Sequence, residues 1–91
     1  MNFNIPISLD WTKEEVIAVV QFFHGVEKAY ENGVEREEFL RLYKDFKTIV
    51  PSKSEEKQLF KEFEKESNYI CYNVVKEALN KDAVSKKIKL G

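Results

Sequence analysis

Hydrophobic residues recur along this chain at intervals of three and four, which places their side chains on one face of an α-helix. The longest such pattern predicts a helix over residues 12–31, starting at a Thr-x-x-Glu capping box formed by Thr12 and Glu15, with Asp10 as an alternative cap. Its apolar positions fill an arc of about 180° and are Val16, Val19, Val20, Phe22, Phe23, Val26, Ala29 and Tyr30. A face this wide predicts a central helix that contacts more than one neighbour, while Gly25 lies on the opposite side.

Three further helices are predicted by the same spacing. The second helix covers residues 35–50 and is terminated by the following Pro51. The third begins at a second capping box, formed by Ser52 and Glu55, and the fourth covers residues 69–80. Their apolar stripes are Phe39, Leu42, Tyr43, Phe46, Ile49 and Val50 in the second, Leu59, Phe60 and Phe63 in the third, and Cys71, Val74, Val75, Ala78 and Leu79 in the fourth. Because the connections are short, helices adjacent in the sequence are expected to pack together.

No strand is predicted, because the chain has no sustained alternation of polar and apolar residues. The Asn32-Gly33 pair follows a helical pattern and is typical of a helix C-cap. We therefore predict an all-α fold, a compact bundle of four helices with short connections and helix one at its centre. A single helical domain is expected over residues 1–91, with an ordered core over about 10–80, an N-terminal arm over 1–9 and a frayed basic tail over 81–91.

Composition narrows the classes of function. The 91 residues carry 15 Lys and Arg against 16 Asp and Glu, so the net charge of −1 provides no overall field for nucleic acid or anionic membranes. One Cys excludes an internal disulfide and a thiolate-clustered zinc site, and one His excludes a histidine-rich metal cage, so no cofactor is expected. The chain starts without a signal-peptide pattern, and its most apolar stretch, residues 16–23, is too short to span a membrane, which indicates a cytoplasmic protein.

Three residues are candidates for catalytic groups, and none of them predicts an enzyme. His24 falls on the polar flank of helix one, where a surface position is expected, and Cys71 falls in an apolar stripe, where thiols are usually inert. Glu27 lies inside the rim of the apolar face, where a carboxylate needs a hydrogen bond or an opposite charge. It is either a structural carboxylate held by a Tyr, Trp or Lys side chain, or the acid of a cleft.

Basic residues form two faces. Helix three carries Lys53, Lys57, Lys61 and Lys65 at intervals of four, and the stripe of helix two is flanked by Arg36, Arg41, Lys44 and Lys47. If the two faces adjoin, they form a phosphate-contacting patch of Lys44, Lys47, Lys53, Lys57 and Lys61. The alternative is a solvated surface with pairs such as Lys61–Glu64 and Glu62–Lys65. Base stacking also needs aromatic residues among the lysines, and the Phe side chains are expected on the buried side.

A run of uncharged residues, Tyr69-Ile70-Cys71-Tyr72-Asn73, indicates a surface for a partner. Consecutive helical residues cannot all face one core, so at least one tyrosine is expected to be exposed. Because exposed tyrosine is enriched at interfaces, we predict a partner surface that comprises Tyr69, Ile70 and Tyr72.

From Asp10 to Ala78 the chain resembles the YktA-like uncharacterised protein family 0223 of low-GC Gram-positive bacteria. The likeness is carried by residues 10–15, 26–31 and 36–40 and, most distinctively, by residues 46–57, which read Phe-Lys-Thr-Ile-Val-Pro-Ser-Lys-Ser-Glu-Glu-Lys. The resemblance implies an all-helical cytosolic protein and no activity or site. After Ser67 the family pattern often reads Gly-Tyr-Ser-Ser-Tyr, whereas this chain has the more apolar Asn-Tyr-Ile-Cys-Tyr.

The first functional hypothesis is therefore a small cytosolic, non-enzymatic protein-interaction module with a protein partner. The alternative is an RNA-binding accessory protein that uses the lysine face of helices two and three. An enzyme based on Glu27 is the third hypothesis, and it requires a pocket that reaches this carboxylate. A homodimer, which is a common use of an unpaired apolar strip, is a further expectation.

Overall fold

The computed structural model describes residues 10–80 and 86–90. In these residues the chain forms four helices, α1 over Lys13–Glu31, α2 over Arg36–Ile49, α3 over Lys53–Ser67 and α4 over Cys71–Leu79. Two short strands, β1 over Val34–Glu35 and β2 over Lys87–Ile88, complete the described part. The predicted all-α bundle is confirmed, and its helix bounds differ from the sequence-based ones by at most two residues.

Local capping fixes both ends of α1. The Glu15 carboxylate accepts the Thr12 backbone N–H at 2.8 Å, and the Thr12 hydroxyl accepts the Glu15 N–H at 3.2 Å, so Thr12 rather than Asp10 is the cap. At the other end Gly33 has a φ of +96° and donates its N–H to the Lys28 carbonyl. That left-handed conformation favours glycine, and the predicted C-cap at Asn32-Gly33 is confirmed.

Aromatic side chains from three helices meet at the centre of the core. Phe22 of α1 is fully buried, and its ring centroid lies 4.5 Å from that of Phe46 of α2 and 5.7 Å from that of Phe60 of α3. Phe23 stacks on Phe63 of α3 at 4.7 Å. Because α1 also packs against α4, it contacts all three other helices, as the width of its apolar face predicted.

Gly25 has a packing role that the sequence pattern did not reveal. It lies opposite the main apolar face of α1 and is nevertheless buried. A Cβ atom at this position would lie 3.0 Å from Leu42 Cδ1 and 3.2 Å from Phe39 Cδ1. The absence of a side chain therefore lets α2 approach α1 closely.

The C-terminal segment corrects two expectations. Val34 of β1 pairs with Ile88 of β2 in an antiparallel register, Leu90 donates its N–H to the Ala29 carbonyl at 2.7 Å, and Ile88 is 1% exposed. The prediction of a frayed tail is therefore wrong for residues 86–90. The prediction that the chain has no strand is also wrong at this pair, because two-residue strands are too short to show an alternating pattern. The arm over 1–9 and the tail over 81–85 and at 91 lie outside the described residues.

Candidate functional site

The candidate catalytic groups have different surroundings within the described residues. His24 is exposed, as predicted, whereas Cys71 is buried at the start of α4, and burial raises the pKa of its thiol well above its usual range. A protonated, buried thiol is a poor nucleophile. Residues 10–80 and 86–90 also contain no group of three His, Cys, Asp or Glu side chains placed to hold a metal ion.

Glu27 is buried as the sequence predicted, with 8% of its surface exposed. Burial raises the pKa of its carboxyl, and the nearby Glu31 carboxylate raises it further. The expected Tyr, Trp or Lys partner is not found in the described part of the chain, where Oε2 has no hydrogen bond. Glu27 also does not line the groove between α3 and α4. It is a buried carboxyl on the side of α1 that faces the protein interior.

An open groove of about 640 Å³ runs between α3 and α4, with one contribution from α2, and we call it the α3–α4 groove. The short connection over residues 68–70 places the two helices side by side. Its lining is Tyr43 from α2, Lys53, Glu56, Lys57, Phe60, Lys61 and Glu64 from α3, and Tyr72, Val75 and Leu79 from α4. The groove therefore combines an apolar wall with a basic one.

The apolar wall belongs to α4. Tyr72, Val75 and Leu79 recur at i, i+3 and i+7 and lie on one side of the helix. Val75 is buried, whereas Tyr72 is 62% exposed and Leu79 is 55% exposed. These are the two largest exposures of a large hydrophobic side chain within the described residues. Two exposed apolar side chains thus border one groove.

The basic wall belongs to α3. Lys53, Lys57 and Lys61 are exposed, and no carboxylate of the described residues forms an ion pair with any of them. The predicted Lys61–Glu64 pair is therefore not formed. Successive lysines are one helical turn apart, so the row covers about 12 Å of the helix.

Glu56 is neutralised within the protein. Its Oε1 lies 2.6 Å from Lys47 Nζ of α2, and its Oε2 accepts the Tyr43 hydroxyl at 3.0 Å. Burial and this hydrogen bond raise the pKa of Tyr43 to about 12, so the phenol stays protonated. The basic faces of α2 and α3 therefore meet through a carboxylate, and Lys47 is engaged there. Lys44 is exposed and does not line the groove.

The predicted partner surface is divided by the structure. Tyr69 stacks on Tyr30 with ring centroids 4.7 Å apart, and its hydroxyl donates to Glu31 Oε2 at 2.9 Å. Ile70 is 38% exposed, and its backbone N–H donates to the Tyr30 hydroxyl at 3.3 Å. Tyr72 alone of the three lines the α3–α4 groove, which confirms the expected exposed tyrosine.

Leu79 lines the groove, although the sequence pattern predicts it in the buried apolar stripe of the fourth helix. In the structure that stripe contains the buried Cys71, Val74 and Ala78, whereas Leu79 is 55% exposed. Leu79 instead continues the second row that begins at Tyr72. The i, i+3, i+7 spacing of Tyr72, Val75 and Leu79 was the available signal, because it marks a second apolar face on a nine-residue helix.

The fold and groove define a small all-α protein with an exposed amphipathic cleft. The chain belongs to the uncharacterised protein family UPF0223, whose family model matches residues 2–88. It is 52% identical over 80 residues to a UPF0223 protein of Staphylococcus haemolyticus, covering 88% of this chain and 89% of the relative. It is 55% identical over 78 residues to relatives from Oceanobacillus iheyensis and Bacillus pumilus, covering 86% of this chain and 89% and 88% of theirs.

These relatives confirm the bacterial family that the sequence resembles. None of the helices in the described residues combines the length and apolar character that crossing a membrane requires.

Proposed function

We propose that this protein is a small cytoplasmic, non-enzymatic interaction module that binds a protein partner in the α3–α4 groove. The observation that carries the proposal is the pair of exposed apolar side chains, Tyr72 and Leu79, on one wall of that groove. Exposed apolar side chains that border a cleft are characteristic of protein-binding surfaces. Tyrosine is also among the residues that most often dominate binding energy at interfaces.

The floor of the groove suits it to this task. Phe60 lines the groove with one side and packs on Phe22 and Phe46 with the other, at 5.7 and 5.8 Å between ring centroids. The groove floor is thus part of the hydrophobic core, and a rigid floor reduces the entropy lost when a partner binds. Side chains that a partner would cover are, in contrast, exposed at the rim.

RNA binding is the second candidate, and one observation favours it. The groove places Tyr72 beside Lys53, Lys57 and Lys61, so an aromatic ring accompanies the lysines after all. The five-lysine patch is not formed, however, because Lys47 is paired with Glu56 and Lys44 lies outside the groove. Only one exposed aromatic ring accompanies the lysines, and the other exposed groove residue, Leu79, is aliphatic and cannot stack on bases, so we rank a protein partner first.

The test is affinity capture with the tagged protein from cells that produce it, with and without nuclease. We compare the natural chain with Tyr72→Ala and Leu79→Ala, and with Ile17→Ala as a matched control, because Ile17 is 47% exposed on α1 and does not line the groove. We expect a discrete protein that survives nuclease, is lost with both groove variants and is kept with Ile17→Ala.

Two outcomes contradict the proposal. Recovery of RNA, with any captured proteins released by nuclease, supports the second candidate instead. Recovery of the same proteins with all four chains shows that the groove is not the binding surface.

A further inference from the structure

We infer that the occupant of the α3–α4 groove is an acidic amphipathic helix, with apolar side chains against Tyr72 and Leu79 and carboxylates against the lysine row of α3. This inference rests on the proposed function and adds the chemistry of the partner. Three features of the groove support it, namely its charge, the spacing of its walls and the state of its backbone.

Local charge favours an acidic partner, although the whole chain has a net charge of −1. Lys53, Lys57 and Lys61 form no ion pair with the described residues, and the charge of Glu56 is balanced by Lys47. Glu64 is the one lining carboxylate left to oppose three lysines. Complementary charge steers association and rejects wrong partners, so a basic segment would be repelled.

The spacing of both walls matches a helix of about two turns. Tyr72 and Leu79 are seven residues apart, about 10 Å along α4, which is the distance between apolar residues at i and i+7 of a partner helix. The lysines lie one turn apart, so they face carboxylates that recur at intervals of four on that same helix. One amphipathic helix therefore satisfies both walls at once.

The backbone of the groove argues against an extended peptide. Both walls are sides of helices, where N–H and C=O groups are already bonded within α3 and α4. An extended segment gains affinity by adding main-chain hydrogen bonds to an open sheet edge, and these helical walls offer none. A helical partner forms its backbone hydrogen bonds internally, so it needs only side-chain contacts from the groove.

The two walls contribute differently to binding. Exposed ion pairs each add little to affinity, so the three lysines together are expected to account for about tenfold. Tyr72 and Leu79 are expected to anchor the partner, because most binding energy comes from a few buried aromatic and aliphatic groups.

The test is a display selection with the full chain as target. The library consists of 18-residue helical peptides in which the residues on one face are randomised. The affinity of each selected peptide for the target is then measured by fluorescence anisotropy. A second target reverses the charge of the basic wall with Lys53→Glu, Lys57→Glu and Lys61→Glu. A third target carries the same change in charge outside the groove, with Lys13→Glu, Lys44→Glu and Lys65→Glu. Tyr72→Ala is a fourth target, and a fluorescent uridine dodecamer is measured beside the peptides. Thermal unfolding of each target verifies that it is folded.

We expect the natural chain to select peptides with Asp or Glu at intervals of four beside an apolar stripe. Their affinity should fall more than about tenfold with the groove triple variant, because each Glu replaces an attraction by a repulsion, and should change less than about twofold with the control triple variant. The groove triple variant should itself select peptides with Lys or Arg at those positions.

Three results overturn the inference and differ in what they say about the proposed function. Peptides that depend on Tyr72 but show no charge preference overturn the acidic partner and leave the interaction module in place. Peptides that bind regardless of Tyr72→Ala and the groove triple variant overturn both. Tighter binding of a fluorescent uridine dodecamer than of every selected peptide, with a log–log salt slope of about −0.7 per phosphate contact, overturns both in favour of RNA.

Discussion

Replacing Phe22 by alanine is expected to lower the free energy of unfolding by about 3–5 kcal/mol. Phe22 is fully buried, and its ring lies within 6 Å of the rings of five other aromatic residues from α1, α2 and α3. Alanine would remove these contacts and leave a cavity that the surrounding core fills only in part. Since a chain of this size has a total stability of about 5–14 kcal/mol, the variant should be close to unfolding.

Urea denaturation followed by circular dichroism measures this loss. Ile17→Ala is the control, because it removes an apolar side chain from the same helix at a position 47% exposed, and it should change stability by less than about 1 kcal/mol. Equal losses for the two variants would show that α1 is not the centre of the core.

Replacing Ile88 by alanine is expected to cost about 2–5 kcal/mol. Ile88 is 1% exposed, faces Val34 across the strand pair and belongs to the main hydrophobic core. The segment around it is held by the Arg36 N–H, which donates to the Lys86 carbonyl at 2.7 Å, and by the Leu90 hydrogen bond to Ala29. The free energy of unfolding of Ile88→Ala therefore tests whether the segment over residues 86–90 packs stably against the helices.

The matched control is Leu90→Ala, because Leu90 lies two residues away and is 38% exposed. It should cost less than about 1.5 kcal/mol in the same urea titration. If Ile88→Ala proves as mild as Leu90→Ala, the frayed tail predicted from the sequence is correct after all.

The helices could be predicted because their signals are local. Each signal of α1 involves only residues that are close in the sequence. These signals are the capping box of Thr12 and Glu15, the C-cap at Asn32-Gly33 and the spacing of the apolar residues. The β1–β2 pair could not be predicted, because it joins residues 52 and 54 positions apart and contains only two residues in each strand. Its stability comes from the burial of Val34 and Ile88 in a core built by other elements.

The candidate site was predicted in parts and not as a whole. The lysine row of α3 and the exposed Tyr72 follow from helical periodicity, which places a residue on a face of its own helix. Periodicity does not say which faces of two helices meet, so the shared groove was not foreseen. Lys47 illustrates the same limit, because its partner Glu56 lies on another helix.

The central claim is that a protein partner occupies the α3–α4 groove, and site-specific photo-crosslinking in living cells tests it most directly. A photoreactive phenylalanine analogue replaces Tyr72 in one version of the protein and Ile17 in another. We predict a discrete crosslinked protein at position 72 that is absent at position 17 and is weakened when Lys53, Lys57 and Lys61 are changed to Glu. Equal products at both positions, or a product at position 72 made only of two copies of this chain, would contradict the claim.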